Sequence, residues 1–144
     1  MVREMPVIGE QETITTVLVI FAGSSHSILP VVNGTGKMIG LISLDEMLRA
    51  MLFSREEVAL LEKVPFLADF LADVVENIDY ISPLVIARDM MQAAFFFVRE
   101  DESMLKAASL MINRNVNRVV VLSETNAPVG YISKNEVCRA FLVR

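Results

Sequence analysis

Gly40-Leu41-Ile42-Ser43-Leu44-Asp45-Glu46-Met47-Leu48-Arg49-Ala50-Met51-Leu52 returns ninety residues later as Gly130-Tyr131-Ile132-Ser133-Lys134-Asn135-Glu136-Val137-Cys138-Arg139-Ala140-Phe141-Leu142. Gly, Ile, Ser, Glu, Arg, Ala and Leu hold the same places in both stretches. Self-similarity at a fixed offset marks a chain built from copies of one structural unit. The function is therefore sought in what two such units make together.

Outward from the quoted stretches, the same order of elements appears twice. Residues 28–32 form a short apolar strand, Asn33-Gly34-Thr35-Gly36 supplies turn chemistry, and residues 37–43 return as a hairpin partner. The counterparts are residues 118–122, 123–127 and 128–133. Pro30 stands where the second copy has Val120, and proline's missing N–H predicts an edge position for the first of these strands. Each hairpin leads into a closing helix, residues 44–53 and 134–143. Opening strands are expected at Pro6-Val7-Ile8, closed by Gly9, and near residues 95–98.

Between opening strand and hairpin, residues 103–112 have Ala, Leu and Met at helical spacing. Their counterpart is a conflict: Ile14, Thr15, Thr16, Val17, Val19 and Ile20 are β-branched and favour a strand. Equivalent segments of a repeat share a fold, so residues 13–22 are also read as helix. The order strand, helix, strand, strand, helix in each copy gives an α+β class. The predicted division is repeat 1 at residues 1–54, a helical linker at 55–83 and repeat 2 at 84–144. In the linker, Ser54-Arg55-Glu56-Glu57 reads as a helix start. Phe66, Leu67, Phe70, Leu71, Val74, Val75 and Ile78 then form an apolar stripe, packing on its own domain or serving a dimer contact.

A net charge of −5 without any Lys/Arg cluster excludes a nucleic-acid binder, which needs a basic stripe to displace phosphate counterions. One cysteine, Cys138, excludes a disulfide framework and suits a reducing compartment. With His26 the only histidine, no metal-ligand spacing exists. The apolar run at residues 17–22 is far too short to cross a bilayer. The expectation is a cytoplasmic protein without membrane insertion. No nucleophile–base pair and no Gly-rich phosphate loop is present, so no enzyme is expected. An apolar fraction of 53% implies a large core or a face covered by another chain.

A strand-helix-strand-strand-helix unit with a Pro-Val-Val strand, a turn, and Gly-x-x-Ser followed by an acid resembles the CBS domain, named after cystathionine β-synthase. Two in tandem resemble a Bateman module, and the resemblance covers nearly the whole chain. It implies two repeats packed sheet-to-sheet with pseudo-twofold symmetry, leaving clefts that commonly bind AMP, ADP, ATP, S-adenosylmethionine or NAD as regulatory ligand. It also implies a homodimer through the repeat helices and a regulated effector protein or domain that this sequence does not identify.

Carried over residue by residue, the resemblance assigns Ser43 and Ser133 to phosphate, and Glu46 and Glu136 to the ribose hydroxyls. Asp45 and Asn135 are placed facing the cleft. Asn117 and Arg118 fall where the family often has a His-Arg pair on phosphate, and Lys134 adds a second cation. The first copy has Ser27-Ile28 and Leu44 at these places, so the second copy is the better equipped. Both acids are Glu where the family has Asp.

Two readings of Ser-x-x-Glu stay open. It is also the capping box, in which Ser and Glu satisfy each other's backbone amides at a helix start. The ligand reading adds helix N-termini as anion sites, and Val7, Ile8, Phe96 and Phe97 as surfaces for an adenine. A structural or dimerisation module with non-binding clefts is the alternative to a nucleotide sensor.

Overall fold

A computed structural model describes residues 1–52 and 85–142. The helical linker expected at 55–83, with its 66–78 stripe, lies outside the described residues. The first repeat runs β1 (Ile8–Gly9), α1 (Ile14–Ala22), β2 (Ile28–Val32), β3 (Met38–Ser43), α2 (Leu44–Leu52). After a short α3 (Ala87–Met90), the second runs β4 (Phe97–Arg99), α4 (Met104–Arg114), β5 (Arg118–Leu122), β6 (Pro128–Ser133), α5 (Lys134–Leu142). Each repeat has a three-stranded sheet ordered β1-β2-β3 or β4-β5-β6, parallel at the first pair and antiparallel at the second.

The β-branched segment is indeed helical. Thr13 caps α1 by accepting from the Thr16 amide at 3.5 Å, as Ser103 caps α4 by accepting from the Lys106 amide at 3.3 Å. Ile14, Val17 and Phe21 line one face of α1 and are buried, so packing outweighs the intrinsic preference of those side chains.

The edge position expected from Pro30 is wrong, because β2 is the central strand of its sheet. Pro30 faces Leu41, whose N–H and C=O both bond Gln92 on the far side, at 3.0 and 2.8 Å. No ladder bond is asked of the proline from β3. Toward β1, pairing begins only at Ile8–Val31, whereas β4 starts one position earlier, at Phe97–Val120. A residue without an N–H costs the first sheet one pair.

The hairpin turn of the first repeat is built by Asn33. Its Oδ1 accepts from the Thr35 amide at 3.0 Å, the Thr35 hydroxyl at 2.7 Å and the Lys37 amide at 3.1 Å. In the second repeat, Ser123 Oγ accepts from the Ala127 amide at 3.2 Å. Asn33→Ala is expected to lower stability by about 1 kcal/mol through loss of this fan of bonds. Chemical denaturation of the variant checks it, and an unchanged midpoint would show that water replaces the side chain without loss.

Among the described residues, three clusters make the core. Val17, Phe21, Leu29, Val31, Ile42 and Met47 fill the helix–sheet layer of the first repeat, with Ile8 at 1% exposure. Val98, Ala107, Met111, Val119, Val121 and Val137 fill that of the second. Between the repeats, Met38, Val120 and Leu122 are buried against Met5, Ile28, Leu41 and Phe95. β2 and β5 are thus apolar on both faces because one face meets helices and the other meets the opposite repeat.

The repeats also exchange backbone. Val2 pairs with Tyr131 through two bonds of 3.0 Å, laying the chain's first residues beside the second sheet. Ninety residues on, Gln92 pairs with Leu41 and lies beside the first sheet. Ahead of it, Ala87 enters the core of the first repeat, its N–H donating to the Glu12 carbonyl at 2.7 Å. Among the described residues, no helix is long and apolar enough to cross a membrane.

Candidate functional site

The two Ser-x-x-Glu motifs sit where a hairpin strand passes into a helix. The first helical N–H of each is tied to the neighbouring strand's entry residue, Leu44 to the Ser27 carbonyl at 2.9 Å and Lys134 to the Asn117 carbonyl at 3.2 Å. Equivalent anchoring places both helix N-termini alike beside the crossing segments.

The acids then differ. Glu136 forms the capping box: its amide donates to Ser133 Oγ at 3.4 Å, and its Oε1 accepts from the Ser133 amide at 3.3 Å. Its second oxygen pairs with the Met1 ammonium. Glu46 instead accepts from the Gln92 side-chain amide. Both acids therefore grip the segment that crosses from the other repeat, one through Met1 and one through Gln92. Ser43 is half-buried, and Asp45, Lys134, Asn135 and Asn117 are exposed.

Arg118 lies at the start of β5, paired with Ser133. Its guanidinium carbon is 5.9 Å from the centroid of the Tyr131 ring, and its Nε is buried without a hydrogen-bond partner. Leaving a buried guanidinium N–H without an acceptor is energetically costly. Tyr131, 7% exposed, sends its hydroxyl across to the first repeat, where it meets His26 Nδ1 at 2.9 Å. The two rings meet edge-on, 5.6 Å apart at 87°.

The apolar residues named for an adenine are scattered. Ile8 is core, its side chain inside the helix–sheet layer of the first repeat. Val7, Phe96 and Phe97 are exposed by 43%, 40% and 39%. Arg114 lies over the Phe96 ring at 5.3 Å and Arg99 over Phe97 at 5.6 Å. A separate cleft of about 230 Å³ opens where Met1 and Arg3 pass Arg99, Glu102, Met104 and Ile132, and no sequence-predicted site residue lines it. His26, Tyr131 and Gln92 were not singled out in the sequence. Met1 and Met91 stand ninety residues apart, as do Val2 and Gln92, so extending the repeat upstream locates the crossing segments.

The CBS domain family matches residues 1–53 and 87–143. An uncharacterized protein of Methanocaldococcus jannaschii, MJ1426, is 21% identical over 148 residues, covering 94% of this chain and 85% of its own. Among solved structures, the CBS-pair protein CBSX2 from Arabidopsis thaliana superposes with a TM-score of 0.73 at 17% identity, over 99% of this chain and 91% of that one. CBSX2 in complex with AMP gives 0.67 at 18% identity, over 97% and 89%. The cytosolic domain of the Mg2+ channel MgtE in complex with ATP gives 0.65 at 17% identity, over 96% of this chain and 45% of that one. With both repeats matched and the pair architecture shared, the chain belongs to the CBS domain family, as a tandem CBS pair.

Proposed function

We propose that this CBS pair is a regulatory module that binds an adenosine-containing nucleotide such as AMP, ADP or ATP between its repeats. Occupancy is relayed to a partner protein or domain. The observation that carries the reading is Arg118, whose buried Nε has no partner beside Ser133 and the amino end of α5. A phosphate group is the acceptor chemistry that fits a guanidinium beside the positive end of a helix dipole. CBSX2 with AMP and the MgtE domain with ATP share this architecture and support the ligand class. In this reading Arg118, Lys134 and Ser133 meet phosphate, Glu46 and Glu136 compete for ribose hydroxyls, and Phe96 offers an exposed ring to the base.

A second reading, a structural module with non-binding clefts, is favoured by Glu136, whose carboxylate is already engaged by Ser133 and Met1. In either reading a homodimer is the proposed assembly. Leu105 and Ile112 on α4, and Phe141 and Leu142 on α5, leave 67%, 76%, 48% and 83% of their surfaces exposed. A cytoplasmic location remains part of the same proposal.

Thermal melting with millimolar AMP, ADP, ATP, S-adenosylmethionine and NAD in parallel separates the two readings. A ligand present at about a hundred times its dissociation constant adds about 2.7 kcal/mol, a rise of several degrees for a domain of this size. A shift with one adenylate and not the others identifies the ligand. No shift with any of them leaves the structural reading.

A further inference from the structure

Taking the nucleotide reading as its basis, we propose that the His26–Tyr131 contact is a latch between the repeats that covers Arg118 and opens when a phosphate-bearing ligand enters. Among the described residues, Arg118 is the cation with an unanswered buried donor, and Tyr131 lies near its guanidinium. Tyr131 is itself nearly enclosed, and in this proposal its ring is what shields the buried Nε of the half-buried Arg118. What holds the ring is the first repeat: its hydroxyl meets His26 at 2.9 Å and its edge or face meets the imidazole at 87°.

The two halves of the chain are unequal at this point. Leu41 occupies the place of Tyr131 in the first sheet, and Val116 the place of His26 in the second repeat. Leucine and valine have no hydroxyl or imidazole, so this polar bond has no symmetry mate. The bond joins residues 105 apart in sequence and on opposite repeats. Opening it to admit a ligand therefore alters inter-repeat packing, which is the quantity a partner can read. A ligand that binds only the unlatched state carries the cost of unlatching in its apparent affinity, and also shifts the population toward that state.

Calorimetric titration of AMP into wild type, Tyr131→Phe, His26→Ala, the double variant and Tyr131→Leu tests the latch. Tyr131→Phe keeps the ring and removes the bond, and it is expected to bind AMP about fivefold tighter, the equivalent of one ordinary hydrogen bond. His26→Ala tightens binding by a similar factor, and the double variant gains no more than either single change, because both delete one bond. Tyr131→Leu, which copies the first repeat, also uncovers Arg118 and tightens further. A role confined to stability predicts lower melting temperatures with no gain in affinity. Unchanged or weakened AMP binding in Tyr131→Phe overturns the latch while leaving the nucleotide reading in place. If neither wild type nor any variant binds AMP, ADP or ATP in the same titration, the nucleotide reading falls and the latch with it.

Discussion

Gly130→Ala is expected to lower the melting temperature by roughly 10 °C. A Cβ at this position would lie 2.3 Å from the Val2 carbonyl oxygen and 2.9 Å from Met1 Cγ. The first obstacle is backbone, fixed by the two hydrogen bonds between Val2 and Tyr131, so it has no rotamer to escape into. Either the crossing segment lifts away and both bonds are lost, or β6 bends out of its sheet. Overpacking and bond loss together cost about 2–4 kcal/mol, and a domain of this length loses a few degrees per kcal/mol.

Gly40→Ala is the internal control. There the added Cβ meets the Met91 side chain, with Sδ at 2.3 Å and Cγ at 2.6 Å. The thioether end can swing aside and only the Met91 Cβ, at 2.9 Å, has to shift with its backbone, so the loss is expected to be smaller. Circular dichroism melts of both variants check the order. Equal losses, or a Gly130→Ala protein melting like wild type, would show that the crossing segment is not held against the second sheet.

Arg118→Ala is the larger functional change. Under the nucleotide reading it removes the cation that accompanies Ser133 and the α5 N-terminus, and AMP affinity is expected to fall between about 10- and 150-fold, the range for hydrogen bonds to charged groups. Lys134→Ala, at an exposed position, is expected to cost only a few-fold, since a solvated cation contributes little. Titration of AMP into the two variants measures both. The unliganded Arg118→Ala protein is expected to melt close to wild type, because the donor it deletes makes no hydrogen bond. Wild-type affinity in Arg118→Ala would remove phosphate binding from this residue and favour the structural module.

The amino-acid sequence alone determined the architecture. The copy of Gly40–Leu52 at Gly130–Leu142 set two equal units, and their shared order of elements came out as read, down to a helix where β-branched residues argued for a strand. Helical spacing, turn chemistry and capping are local, so one copy's clear signal could correct the other's ambiguous one. The capping box of Ser133 and Glu136 was legible for the same reason, being a four-residue motif.

Only the tertiary structure decided what depends on distant partners. Pro30 is central because Leu41 turns its backbone toward Gln92, fifty-one residues away, which no local propensity expresses. Glu46 and Glu136 look alike in sequence, yet one meets Gln92 and the other the capping serine and Met1. Ile8 reads as a strand residue free to face a ligand and is instead packed beneath the helices. His26 lies in no motif and Tyr131 fills a variable position of the repeated Gly-x-Ile-Ser, and the two become neighbours only when the repeats fold against each other. Side-chain pairing across the pseudo-twofold interface follows from how two whole units dock, and that is set by the packing of Met38, Val120 and Leu122 between the sheets.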